Sequence, residues 1–540
     1  MPRIFPSVLP ACATLALLTL TLPLPAQDTA PDTAAHPAAE EAADRPGMAE
    51  VEQAWARGDF VFVRDGLKAL AEETGTPLAQ YRYGRVLIEG RGGPRDIKAA
   101  VGWLEKAVAQ NHADAATLLA QVLLAEGLDT VPRDPARAAD LLGSAATRGD
   151  PNAQVMLARL LTAGDGVAPD PQAAFDWYLA AAEQGHLEAQ FAVARSYLRG
   201  DSQTANVEQG LHWLEQAAEG GHVQAQYFLA GAYDRGTGVE ASPAEARRWY
   251  RRAAEAGLPI AQRDLGTRYL LGQDVDPDAA EALRWLEAAA DAGDPGAMFN
   301  LAQGFLAGDV LPQDDARAYR WLERAADSDL PRAMTAQAAM VEAGRGTAAD
   351  PDRAIALYRR ADEAGDRAAA ERLGQMAAAG ALDGKLAPHR AVPWAAAAAR
   401  AGDAPARDWL AAQAEDGLRG AQAALGALLL ETPDITPEDQ ARANDWRLRA
   451  AEAGDVATQA LLGQAYASGA DGLEQDYVAA HAWLNLAGAA GHAEAAETRE
   501  VIAALMTPEQ IAEAQARARD LHAAILARTP RTQQTVRGSE

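Results

Sequence analysis

Tryptophan returns at a fixed interval in this chain. Trp177, Trp213, Trp249, Trp285 and Trp321 each stand 36 residues after the last, and Leu357 continues the series. Upstream, Trp103, Leu141 and Leu67 hold the same slot, with one 38-residue step between Trp103 and Leu141; downstream, Trp394, Trp446 and Trp483 extend it. A period of this length marks a stack of supersecondary units, each burying its apolar face on its neighbours. The 540 residues therefore do not resolve into three or four separate globules, as length alone suggests. A bulky residue returned to one slot reads as a core anchor, whose truncation costs about 3–5 kcal/mol when buried.

Two further columns give each unit its shape. Gly84, Ala120, Ala158, Ala194, Ala230, Gly266, Ala302, Ala338, Gly374, Gly426 and Gly463 are all small, so two helices can approach closely there. About six residues later comes glycine, as at Gly90, Gly164, Gly200, Gly236, Gly272, Gly308 and Gly344, where the left-handed end of a helix is expected. Asp134-Pro135, Asp170-Pro171, Ser242-Pro243 and Asp350-Pro351 read as N-cap and first-turn proline of the next helix. Each unit is thus helix A, a glycine-ended turn, helix B carrying the tryptophan, and a short return. The predicted fold class is all-α, an α-solenoid of about eleven antiparallel helix pairs.

These residues resemble a known family. The pattern A-x-x-x-L-[GA]-x-x-Y-x-x-G-x-G-V followed by A-x-x-W-[YL]-x-x-A-A-x-x-G, in register over residues 60 to 500, is similar to the Sel-one-like repeat (SLR), a relative of the tetratricopeptide repeat. Tetratricopeptide units take 34 residues, so the 36-residue step favours the former. The resemblance implies a bacterial exported member that binds proteins, acting as a scaffold or regulator of envelope processes.

The pattern breaks near 381–420, where Trp394 and Trp409 lie only 15 residues apart with no room for a full A helix between them. An irregular joint is expected there. The predicted organisation is a signal peptide over 1–26, a disordered acidic leader over 27–50, an N-terminal stack over 51–392, further repeats over 393–505, a capping helix over 506–528 and a disordered tail over 529–540. The signal peptide rests on Arg3, the apolar run from Ala11 to Leu24 and the small residue Ala26. It predicts a periplasmic or secreted protein with no transmembrane span after cleavage. Thr507 to Gln510 reads as a capping box for the last helix.

Charge and composition narrow the chemistry. A formal net charge of −27 disfavours nucleic-acid binding. Cys12 is the single cysteine, which leaves the mature chain without a thiol nucleophile or thiolate metal site. His112, His186, His222 and His492 share a column, but Asp150, Asp294, Asp366, Asp403 and Asp455 fill it elsewhere. Both residue types serve at the entrance of a helix, so capping is preferred over a zinc site. The expectation is no enzyme, no cofactor and no metal. The arginines of the run from Glu245 to Gly257, including Arg248 and Arg252, read as a solvated helix face.

Binding is expected on the A helices, which line the concave face of related stacks. Positions three before and one after the small residue are neighbours on one face. They provide Tyr81, Phe191, Tyr227, Arg263 and Phe299 beside Arg85, Arg159, Arg195 and Gln303. Aromatic and arginine anchors dominate protein-binding surfaces, which suits an extended peptide or an envelope protein. The alternative is that the aromatics seal the contacts between A helices. Two rival functions remain from the same residues: a glycan- or peptidoglycan-binding adaptor, and a β-lactamase-like hydrolase, for which the paired cysteines and SxxK serine of such enzymes are missing.

Overall fold

The computed structural model describes residues 47–128, 130–200 and 205–528. The predicted signal peptide, all but the last residues of the leader, and the tail fall outside them. Among the described residues every regular element is a helix. The chain divides into two compact units at Leu265 and Gly266.

The first unit begins with α1 (Met48–Arg57) and α2 (Phe60–Glu73). Helix pairs follow: α3 (Pro77–Glu89) with α4 (Ile97–Ala109), α5 (Ala113–Leu124) with α6 (Pro135–Thr147), and α7 (Pro151–Ala163) with α8 (Pro171–Glu183). Then come α9 (Leu187–Arg199) with α10 (Val207–Glu219), and α11 (Val223–Arg235) with α12 (Pro243–Glu255). Helix α13 (Pro259–Leu271) runs across the boundary and is followed by α14 (Ala279–Asp291).

In the second unit α15 (Pro295–Ala307) pairs with α16 (Asp315–Asp327), α17 (Pro331–Ala343) with α18 (Pro351–Glu363), and α19 (Arg367–Ala378) with α20 (Pro388–Arg400). After α21 (Ala404–Glu415), pairing resumes with α22 (Arg419–Leu430) and α23 (Pro437–Glu452), then α24 (Val456–Ser468) and α25 (Tyr477–Ala489). The unit ends with α26 (Ala493–Ala503) and α27 (Pro508–Arg528). The spacing of Trp394 and Trp409 is explained by α21: each tryptophan sits on its own helix, and α21 packs against α19, α20 and α22 as an unpaired insertion.

The seam within each pair is set by the small column. A Cβ on Gly84 would meet Leu104 Cδ2 at 3.0 Å, one on Gly463 would meet Leu484 Cγ at 2.5 Å, and one on Gly374 would come within 2.2 Å of the Trp394 carbonyl oxygen. The residue after the tryptophan fills the seam: Leu104, Leu142, Leu286, Leu322 and Leu484 are fully buried. The tryptophan itself sits at the rim. Trp249, Trp285, Trp446 and Trp483 are buried, whereas Trp103, Trp177, Trp213 and Trp321 are half-buried. Adjacent helical positions differ by about 100°, so the leucine takes the centre and the indole its edge. Cations cover the exposed faces, with Lys106 Nζ 3.6 Å from the Trp103 centroid and Arg324 4.5 Å from that of Trp321. Trp483 is the most buried because α27 doubles back onto α25, bringing Ala518, Leu521 and Ile525 against it.

Helix ends follow a repeated code. Asp134, Asp170, Ser242 and Asp350 each accept a first-turn N–H at 2.9–3.3 Å. Thr507 Oγ1 accepts from Gln510 N while Gln510 Oε1 accepts from Thr507 N. At the start, α1 reaches into the expected leader because Glu50 accepts from the Gly47 N–H at 3.0 Å. A buried glutamine four residues into helix A ties it to the helix before: Gln154 donates to Ala146 O, Gln226 to Ala218 O and Gln459 to Ala451 O, at 2.9–3.1 Å. Its Oε1 is satisfied where the next B helix ends in glutamine, as in Gln110 to Gln80 and Gln184 to Gln154, both 2.9 Å. Opposite Gln226 stands Ala256, and Gln226 Oε1 has no partner. Among the described residues no helix is long and apolar enough to cross a membrane.

Two substitutions test the seam and one the glutamine link. Gly374→Ala should lower stability by about 1–3 kcal/mol through overpacking. Gly143→Ala, in a helix with open space around the new methyl, should be neutral or raise stability by up to about 1 kcal/mol. Ala256→Gln should supply the missing donor to Gln226 and add about 1 kcal/mol. Urea denaturation followed by circular dichroism reads all three.

Candidate functional site

The A helices place the candidate aromatics in the seams between repeats. The Phe191 ring, 3% exposed, stacks on His222 of the next repeat with centroids 4.6 Å apart and touches Phe228. Tyr81 stacks on His112 at 4.9 Å in the same way. Tyr227 is half-buried, meets Phe228 and Tyr250 edge-on, and donates its hydroxyl to Asp264 at 2.9 Å. Burial, reinforced by Asp264, raises its pKa well above the usual phenol range. Phe299 lies under the Arg332 guanidinium at 4.5 Å. The sealing role is thus visible for these rings, and what they leave to solvent is the polar row beside them.

That row is held by neighbours. Arg85 pairs with Glu89 at 2.7 Å, Arg263 with Asp264 at 3.1 Å, and Arg195 lies 5.7 Å from the Phe191 centroid. Gln303 is exposed on α15. Arg159 pairs with Glu188 at 3.2 Å, and Glu188 also meets His222 Nε2 at 3.4 Å, so one polar chain crosses three repeats. The His222 bond, with help from Arg159, draws the Glu188 carboxyl down to about 2.

The histidine column is a set of helix caps. Nδ1 of His112, His186, His222 and His492 accepts the N–H of the third following residue at 3.2–3.4 Å. An accepting Nδ1 requires the neutral ring with its proton on Nε2, and in His222 that Nε2–H faces Glu188. Among the described residues no group of three or more His, Cys, Asp or Glu side chains is placed to hold a metal ion.

Arg159 and Arg85 among the predicted residues border clefts. Arg85 lies on a small one of about 240 Å³ with Val51, Trp55 and Arg82. Arg159 and His186 border a larger cleft of about 440 Å³ whose walls are Ile88, Leu118, Leu124, Leu128, Val155 and Met156. Inside it, Gln121 brings Nε2 to 3.7 Å from Met156 Sδ, while its Oε1 has no hydrogen-bond partner. This cleft adjoins the 38-residue step in the tryptophan series. Helix α5 ends at Ala125 in an extended conformation, φ −67° and ψ 138°, where α3, α7, α9, α11, α15, α17 and α24 end in a left-handed glycine. The column reading missed Leu118, Leu124 and Met156 as cleft walls; the 38-residue step was the signal that pointed there.

Antiparallel helix pairs repeated in register define the chain as a helical-repeat protein, an α-solenoid. It belongs to the Sel1 repeat family: the family model matches 77–112, 113–150, 151–186, 187–222, 223–258, 259–294, 295–330, 331–366, 420–455 and 456–492. The gap between 366 and 420 holds the unpaired helix α21. The chain is similar to a protective antigen of uropathogenic Escherichia coli with an SLR fold, 28% identical, TM-score 0.56, the match covering 86% of this chain and 96% of that one. It is also similar to a Sel1 repeat protein from Oxalobacter formigenes, 30% identical, TM-score 0.46, over 58% of this chain and 89% of that one. No curated protein matches the chain significantly.

Burial lowers the pKa of His186 below its ordinary 6.5. A base whose folded pKa is depressed contributes stability that is complete above the unfolded value and is lost as pH falls through the folded one. His186→Asp, the residue this column carries elsewhere, should remove that part of the acid-side loss. Thermal melts from pH 7.5 to pH 4.5 should show a shallower decline for the variant than for the parent chain.

Proposed function

We propose that this protein is a non-enzymatic protein–protein interaction scaffold or regulator of the bacterial cell envelope. It would hold an apolar side chain of an envelope protein or peptide in the cleft beside Arg159. The observation that carries this reading is the cleft itself. Apolar walls from α3, α5 and α7 enclose it, and Arg159 and His186 border it. A concave apolar site with a few convergent polar groups is the usual form of a binding pocket. Arg159 suits a partner's carboxylate beside the apolar side chain. Membership of the Sel1 repeat family supports the scaffold role. The envelope setting is supported by the N-terminal sequence, with its apolar run followed by Ala26. It also accords with the similar Escherichia coli protein being a protective antigen.

Met156 is half-buried on the cleft wall, so Met156→Glu should spoil the apolar contact without unfolding α7. The purified chain and this variant are compared as bait in a periplasmic extract, with captured proteins identified by mass spectrometry and then titrated singly. Binding should weaken by about 30-fold or more, about 2 kcal/mol, as expected for loss of an interface anchor. Unchanged affinity for every partner, with the same melting temperature, would show that the cleft is not the binding surface. Capture that disappears on digestion of glycan would favour the adaptor reading instead.

A further inference from the structure

A second cleft, in the other unit, has the opposite character. About 360 Å³ in volume, it is lined by Arg317, Arg320, Trp321 and Arg324 of α16, with Phe305 of α15 and Glu287 of α14. The three arginines stand four before, one before and three after the tryptophan. Arginine four before the slot recurs at Arg137, Arg353, Arg390 and Arg442, and α16 is set apart by carrying arginine at all three positions; the two preceding B helices show what this changes. In α12 the position four before Trp249 is Glu245, which pairs with Arg248 at 3.0 Å. In α14 the position four before Trp285 is Glu281, which pairs with Arg284 at 3.4 Å and accepts the indole N–H at 2.9 Å. In α16 that position is Arg317.

Relative to α12 and α14, arginine at this position has two consequences. Arg320, the counterpart of Arg248 and Arg284, has no carboxylate four before the tryptophan to pair with, and among the described residues no ion pair or hydrogen bond holds it. The Trp321 indole N–H, half-buried at the edge of the cleft, loses its acceptor as well. Arg317 pairs with Asp314 at 3.4 Å, and Arg324 pairs with Asp291 at 3.5 Å and donates to Ala290 O at 3.4 Å. Stacking fixes them in place: Arg317 lies 5.5 Å from the Phe305 centroid and Arg324 lies 4.5 Å from that of Trp321. Among the lining residues Glu287 opposes the three arginines, and Asp314 and Asp291 offset two of them from outside the lining. In a chain of net charge −27, three guanidiniums and a free indole N–H around one cleft are a local concentration of cationic and donor groups.

We infer that this cleft binds a small multivalent oxyanion, a phosphoryl or polycarboxylate group. Guanidinium forks match both geometrically, and their hydrogen bonds to an anion are of the strong, charge-assisted kind. The indole N–H adds a donor that cannot accept, so it favours an anion over a cation or a neutral acceptor-poor ligand. The site is independent of the apolar cleft of the first unit.

The test uses the chain with its tryptophans labelled with ¹⁵N at the indole nitrogen. The Trp321 signal is identified through Trp321→Phe, and inorganic pyrophosphate and citrate are titrated separately, with calorimetry in parallel. One or both should shift the Trp321 N–H signal and bind saturably; which one does so separates a phosphoryl from a polycarboxylate ligand. Arg317→Glu, which restores the acid found at Glu281, should weaken binding at least tenfold, and Arg320→Ala severalfold. Arg248→Ala on α12 should leave it unchanged. Arg317 and Arg320 are exposed, and circular dichroism confirms that the variants keep their helices. If neither anion moves the Trp321 signal, or if Arg317→Glu binds as well as the parent, the inference is wrong.

Discussion

The close approach of helix A to helix B within each pair is the contact on which the rest depends. It requires a residue no larger than alanine on A and a leucine, tyrosine or similar side chain on B. At Gly374 even a methyl group would collide with the backbone at Trp394. A seam that tight admits one register, and one register repeated gives the 36-residue period. The other columns follow from it. Once the two helices are locked, their ends fall at fixed places, and each end leaves backbone groups that must be satisfied. Asp, Ser, Asn and His at the starts of helices and glycine at their ends answer that demand. The buried glutamine answers it for the carbonyls at the end of the preceding B helix.

Interactions of this kind act only between neighbours, and that is why the chain tolerates breaks. Helix α21 enters as a single unpaired element, yet the A–B pairing on both sides of it is ordinary. In a stack whose stability sums over adjacent units, an insertion disturbs the contacts it touches and little else. The same logic explains α27. The last repeat has no successor to cover its B-helix face, so α27 folds back over α25 and buries Trp483 more deeply than any regular repeat buries its own tryptophan.

The fold was legible because its rules are columns: small residue, glycine end, capped start and a bulky slot were visible without coordinates. The meaning of the bulky slot was not. Tryptophan marks the period, but its neighbour fills the seam, since periodicity reports a helical position and not which side of the helix is deepest. An indole also carries a polar edge and an electron-rich face, so a rim position with a stacked cation suits it better than the centre. The candidate site was less legible for a related reason. Tyr81 and Phe191 share a helix face by their register, but burial of their rings depends on the histidine at the start of the next A helix, a contact made between columns. The apolar cleft depends on a loop, and only the 38-residue step hinted at it.

Residues that obey the columns are committed to holding the stack, so function has to be sought where a repeat departs from them without losing its seam. The two clefts meet that condition in different ways. At α5 the glycine end is missing, and the altered turn borders apolar surface. At α16 the seam is regular, with Leu322 fully buried, and arginine fills all three positions around Trp321. The first departure alters shape and the second alters charge. Neither requires its neighbours to change, because the leucine that closes the seam and the side chains that face solvent lie on opposite sides of the same helix.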